Sequence, residues 1–119
     1  LGDGTAIRYR VAVPRPDKMW TGWRRIDGKH VRPAWTPPPD VRRDLPHLPD
    51  LIPGGAPNNP MGEAALTLDD GLTAIHGTTR TMRASIGSAA SYGCIRMRNE
   101  DIVDLFQRVR VGTPVVMTR

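Results

Sequence analysis

The stretch Ile75–Asn99, IHGTTRTMRASIGSAASYGCIRMRN, carries the chain's single cysteine, Cys94, and a histidine, His76, with fourteen residues between His76 and Ser91. Thr73-Ala74-Ile75-His76 reads as a short strand that ends on the histidine. Beyond Cys94, Ile95-Arg96-Met97 leads to Asn99, which suits the N-cap of a helix running from Glu100 to about Arg108. Glu100 and Asp101 then sit in the first turn, where the helix dipole favours them. Ile102, Phe106 and Val109 make its apolar stripe.

A thiol nucleophile needs a base, because free cysteine is mostly protonated near neutral pH. It needs backbone N–H groups aimed at the oxygen where negative charge develops, and a group that orients the base. His76 is the candidate base. Gly93 removes a side chain just before Cys94, so the N–H groups of Tyr92, Gly93 and Cys94 can line an oxyanion hole. Gly77 leaves its carbonyl accessible to orient the imidazole in place of a carboxylate. Arg96 shares the face of Cys94 if the segment is extended, and can hold a substrate carboxylate bidentately. A plainer reading stands beside this one. A lone cysteine is usually a small buried hydrophobe, and a chain with three histidines pairs one with it often by chance.

Outward from this stretch, the pattern is mostly of short strands. Ile7, Tyr9, Val11 and Val13 alternate with Arg8, Arg10 and Ala12, a half-buried strand with one wet face. Leu66 and Leu68 alternate with Ala65 and Thr67. Val111–Met117 reads as a further strand, and Pro114 within it favours an edge or a bulge. Asp69-Asp70-Gly71 is a turn. Between Pro33 and Pro60 the chain is a stiffened, proline-rich loop, and loops of that length in a compact domain often act as lids. Trp20, Trp23 and Trp35 are read as packing anchors for it.

The composition bounds the rest. With 119 residues the chain is expected to be one domain, 1–119. Twelve Gly and twelve Pro disfavour long helices. The first residue is Leu, so the chain is expected to be a processed or trimmed piece without its targeting segment. The formal charge of +5 suits an anionic partner. That partner is not expected to be nucleic acid: the six aromatic residues do not interleave with the basic ones. The uncharged stretch Ile86–Ile95 is too short and polar to span a membrane. One thiol makes neither a disulfide nor a cysteine-based zinc site. His30 and His47 read as solvated, and with His76 they lack ligand spacing. No metal or cofactor is expected.

Taken together, these segments resemble the catalytic domain of the L,D-transpeptidase (YkuD-type) family. Its signature is a His, a spacer, then Ser/Thr-His-Gly-Cys; here His76 is followed by Ser91-Tyr92-Gly93-Cys94. Trp35 with Pro37 and Pro38 is similar to the Trp-x-Pro-Pro of many Gram-negative members. Pro53-Gly54-Gly55 with Asn59-Pro60-Met61-Gly62, Ile75-His76-Gly77-Thr78, Ile95-Arg96-Met97, Asn99-Glu100-Asp101 and Val111-Gly112-Thr113-Pro114-Val115 resemble other family segments. The resemblance runs from Ile7 to Met117.

It implies a mainly β, compact sandwich-like fold with one short helix after the nucleophile and the proline-rich loop bordering the cleft. An upstream edge strand common in the family is expected to be missing. By resemblance Cys94 is the nucleophile, His76 the base and the Gly77 carbonyl the third member of a triad. Ser91 and Arg96 match positions near the substrate. The substrate implied is a peptidoglycan tetrapeptide stem that acylates Cys94 with loss of D-Ala, in the periplasm or cell envelope. The acceptor implied is an amine of a second stem or of an envelope protein. Carbapenems are implied as acylating inhibitors. Tyr92 departs from the family, which usually has His there. A tyrosine cannot serve as base near neutral pH, so altered rate or preference is expected. Two alternatives remain: a hydrolase of the same family that trims stems, and a wall-binding module without catalysis.

Overall fold

The computed structural model describes residues 1–118, with Ala90 described by its backbone alone. Seven strands form one continuous curled sheet: β1 Val11–Pro14, β2 Gly22–Val31, β3 Ala64–Leu68, β4 Ala74–His76, β5 Ala89–Ser91, β6 Ile95–Met97 and β7 Pro114–Met117. Their order is β5-β1-β6-β4-β3-β2-β7. The pairs β1–β5 and β4–β6 are parallel and the rest antiparallel. Two α-helices accompany the sheet, α1 Pro39–Asp44 and α2 Asn99–Arg108. The mainly β expectation holds. Among the described residues no helix is long and apolar enough to cross a membrane.

Strand register explains why the sheet has two unlike faces. Leu66 lies opposite Ile75, and Ile75 opposite Ile95. These residues, with Ile26, Leu68 and Met97, form the core against Ile102, Leu105 and Phe106 of α2 and Val109 just past its end. The other face of the same strands carries Ala65 opposite His76, His76 opposite Arg96, and Arg96 opposite Ala12. Small residues there leave space beside two large polar side chains. β3 is therefore buried on both faces, Ala65 included, and its apparent alternation does not give a wet side.

Several expectations are corrected. The first strand begins at Val11 rather than Ile7, because Ile7 is exposed and residues 7–10 have no partner strand. Tyr9 packs on the core all the same, and its hydroxyl donates to Asp104 of α2. β2, the longest strand, lacked a signal: it is paired on both sides, by β3 and β7, but only Ile26 along it is buried, so its side chains show no apolar alternation. A second helix, α1, stands inside the proline-rich loop, with Pro39 at its first position, where a missing N–H does no harm. Asn99 is not the N-cap of α2. Arg98 holds that position with no side-chain cap, and Asn99 turns its amide elsewhere. Trp23 is 73% exposed and anchors nothing in the core. Pro114 starts β7 at the sheet edge, as its missing donor requires.

The loop between β2 and β3 is closed at its base. Trp35 and Ile52 exchange backbone hydrogen bonds of 2.9 and 2.8 Å. The buried Asn59 amide donates to the carbonyls of Pro33, Ile52 and Pro53, and its oxygen accepts from Met61 N–H at 2.9 Å. Residues 36–51 project beyond this base as a flap.

Candidate active site

A cleft of about 710 Å³ opens on the small-residue face of the sheet. His76, Cys94 and Arg96 line it from the sheet, and Trp35, Val41 and Leu48 from the flap and its base. The sequence separates these groups widely; the parallel pairing of β4 with β6 brings them together.

His76 ends β4 and is 5% exposed. Its Nδ1 lies 2.7 Å from the carbonyl oxygen of Gly77. A carbonyl only accepts, so Nδ1 carries the proton and Nε2 is left with a lone pair. Burial pushes the imidazole down from the ordinary 6.5 to about 4, and the Arg96 charge adds to that. The carbonyls of Gly77 and Pro60 pull the other way. At neutral pH the ring is an uncharged base.

Cys94 precedes β6 and is half-buried. Burial raises its thiol above the ordinary range, and the carboxylates of Asp70 and Asp40 reinforce this. The backbone N–H of Ala74 and the Arg96 guanidinium act in the opposite direction. The resting pair is thus neutral thiol and neutral imidazole, not a preformed thiolate. Arg96, also depressed by burial, donates to Ser85 Oγ at 3.2 Å. Among the described residues no carboxylate lies within ion-pair distance of it.

The turn before Cys94 is held from inside. Gly93 has φ +131°, a conformation that side chains disfavour. Its carbonyl accepts from Trp20 Nε1 at 2.8 Å, and its N–H faces Ser91 Oγ at 3.4 Å. Ser91, expected to touch substrate, is 2% exposed. Its hydroxyl donates to the Cys94 carbonyl, which makes it a brace of the turn.

Tyr92 points outward to the flap. Its hydroxyl donates to Asp44 Oδ2 at the end of α1, 3.0 Å away. Arg15 stacks over its ring at 4.7 Å. Lys18 pairs with Asp40 at the start of α1 at 3.2 Å. Among the described residues the Tyr92–Asp44 hydrogen bond and the Lys18–Asp40 ion pair are the polar ties between residues 36–51 and the rest of the fold.

Sequence reasoning missed the supports. Trp20 was read only as packing, although a buried indole N–H needs an acceptor, and here that acceptor is the carbonyl of Gly93 in the turn before Cys94. Asp70 was read as a turn residue. It accepts from Leu72 and Thr73 N–H and pairs with Arg24 at 2.8 Å, and Arg24 lies over the Trp20 ring at 3.7 Å. No local pattern could reveal that chain of contacts, since its members lie on three separated segments. Among the described residues no three His, Cys, Asp or Glu side chains converge as a metal site would require.

A family model described as the L,D-transpeptidase catalytic domain matches residues 1–117. The chain is 42% identical over 122 residues to the probable L,D-transpeptidase YbiS of Escherichia coli K12, covering 96% of this chain and 38% of that protein. It is 45% identical over 94 residues to the probable L,D-transpeptidase ErfK/SrfK of the same organism, covering 76% and 29%. The chain thus spans about a third of the length of these curated relatives. Among solved structures it superposes on an L,D-transpeptidase from Mycobacterium smegmatis with a TM-score of 0.70. The identity is 18%, and the match covers 98% of this chain and 51% of that one.

Proposed function

This chain belongs to the family of L,D-transpeptidase catalytic domains, and from that premise we propose that it is a cysteine acyltransferase of peptidoglycan stem peptides, acting in the cell envelope. The observation that carries the proposal is the state of His76. Its Nδ1–H is committed to Gly77 and its ring is uncharged, so Nε2 is available as base in the cleft that Cys94 lines.

In this reading Nε2 takes the thiol proton as sulfur attacks the carbonyl at the L-centre of a diaminopimelate residue. The tetrahedral oxyanion is received by the backbone N–H groups of Tyr92 and Cys94, since that of Gly93 faces Ser91. Collapse expels D-Ala, which takes the proton from His76 and leaves a thioester on Cys94. An amine then attacks the thioester, His76 accepts its proton, and the thiolate leaves and is reprotonated. The amine comes from a second stem or from a lysine of an envelope protein. Because the resting thiol is neutral, proton transfer accompanies attack, and the Arg96 charge offsets the negative charge that forms on sulfur. Arg96, without a protein carboxylate, is placed to receive one from the substrate.

The test is mass spectrometry of the protein mixed with purified tetrapeptide muropeptide, with Cys94→Ala as control. A cross-linked dimer lacking one D-Ala, absent from the control, is expected. Tripeptide without dimer would reassign the chain as a hydrolase. No product and no adduct, including none with a carbapenem, would refute the enzymatic reading and leave a wall-binding module.

A further inference from the structure

The group that orients His76 is itself held by a residue outside the signature. Gly77 O, which accepts from His76, and Thr78 N–H belong to one peptide unit. The peptide is planar and trans, so its C=O and N–H point in opposite directions. Thr78 N–H donates to Asn99 Oδ1 at 3.1 Å. Holding that N–H on Asn99 aims the carbonyl at the imidazole, 2.7 Å away on the other side.

The Asn99 amide grips more than this one bond. Its Nδ2 donates to Thr78 O at 2.9 Å, so both backbone polar groups of Thr78 are held. Its Oδ1 also accepts from Glu63 N–H at 3.1 Å, which ties the 61–63 segment to the 77–78 segment. Flipping the amide would set two donors against its NH₂, so the orientation is fixed by the partners. The oxygen sits so close to Gly62 and Gly77 that a Cβ on either would collide with it. The bland role for Asn99, capping α2, is absent: the helix has no side-chain cap.

We propose that Asn99 is a positioning residue that sets the tautomer of His76 through the Gly77–Thr78 peptide. The relay runs His76 Nδ1–H to Gly77 O, then through the peptide to Thr78 N–H and Asn99 Oδ1. Accepting from the N–H also polarises the peptide and makes Gly77 O a better acceptor. Without Asn99 the peptide is free to rotate, and the ring loses the partner that holds the proton on Nδ1 and keeps Nε2 unprotonated in the cleft that Cys94 also lines. The proposal rests on the reading of His76 as base for Cys94.

The experiment uses the full chain, ¹⁵N-labelled, as wild type, Asn99→Ala, Asn99→Asp and His76→Ala. Nitrogen chemical shifts report the His76 tautomer, and alkylation of Cys94 by iodoacetamide is followed from pH 5 to 9. Wild type is expected to show the Nδ1–H form. Asn99→Ala is expected to lose it and to slow alkylation near neutral pH about tenfold, the worth of one well-placed hydrogen bond. Asn99→Asp keeps an acceptor for Thr78 N–H and is expected to retain the Nδ1–H form. Its added charge also moves the His76 titration upward. An Asn99→Ala protein that melts lower yet keeps the tautomer and the alkylation profile would overturn the proposal. If Asn99→Ala does not fold, Asn99→Ser, whose hydroxyl is too short to bridge both segments, takes its place. If His76→Ala leaves wild-type alkylation unchanged, the base reading fails, and the tautomer comparison still decides what Asn99 does.

Discussion

Glutamine in place of His76 should remove most of the acid sensitivity of the fold between pH 6.5 and 4. In the unfolded chain this imidazole titrates at its ordinary 6.5, and in the folded protein at about 4. Between those values the unfolded chain binds a proton that the folded chain refuses, so stability rises with pH across that window. The contribution is fully present above pH 6.5 and is lost as pH falls through 4. A separation of about 2.5 units corresponds to about 3 kcal/mol. That is a large share of the roughly 5–15 kcal/mol that holds a domain together. Urea unfolding at pH 7, 6, 5 and 4, followed by tryptophan fluorescence, measures it. Other groups titrate in both proteins, so the informative quantity is wild-type stability minus that of His76→Gln. The difference should fall by about 3 kcal/mol from pH 7 to pH 4 and stay flat from 6.5 to 8. A difference that does not change with pH would show that the folded imidazole takes up protons as freely as a solvated one. It would then be protonated in weak acid and would not be the buried, uncharged base described above.

Arg96→Ala should cut the efficiency of D-Ala release about 10- to 100-fold, chiefly through KM, the size expected for lost charge-assisted hydrogen bonds to a substrate carboxylate; steady-state kinetics on tetrapeptide stems reads this. The same change should leave the melting temperature unchanged or slightly higher, since it removes a desolvated cation with no protein counter-ion. Asn59→Ala strips donors from three carbonyls and orphans Met61 N–H. It should lower stability by about 2–4 kcal/mol in denaturant unfolding. Tyr92→Phe loses the bond to Asp44 but keeps the ring under Arg15. Because that bond is exposed, stability should change by less than about 1 kcal/mol. Limited proteolysis within residues 36–51 should nevertheless become faster, and equal cleavage rates would show that the tyrosine does not hold the flap.

Legibility followed how local each feature was. The Ile75–Asn99 stretch could be read because its residue types and spacing resemble a family signature; the cysteine and histidine by themselves left a buried, inert thiol open. The helix could be read from the spacing of Ile102, Phe106 and Val109. β2 could not, because a strand with one buried residue lacks the alternation on which strand reading depends. The alternation of Leu66 and Leu68 with Ala65 and Thr67 announced a strand but not its burial, because the sheet here is covered on both sides at β3. Asn99 was assigned to a helix cap because the pattern of residues after it fits one. Its actual partners, Glu63 and Thr78, are 36 and 21 positions away and leave no mark beside it.

The sequence by itself determined the chemical inventory: one thiol, one histidine able to serve it, glycines where backbone must come close, and a family signature that names the fold. Tertiary structure alone decided which groups meet and in what state. The parallel register of β4 and β6 sets His76 beside Arg96, and burial then lowers the imidazole and raises the thiol. A pKa belongs to an environment rather than to a residue, and that environment is assembled from segments remote in the chain. For the same reason Tyr92, legible only as a departure from the signature, is seen to reach the flap once α1 is placed beside it.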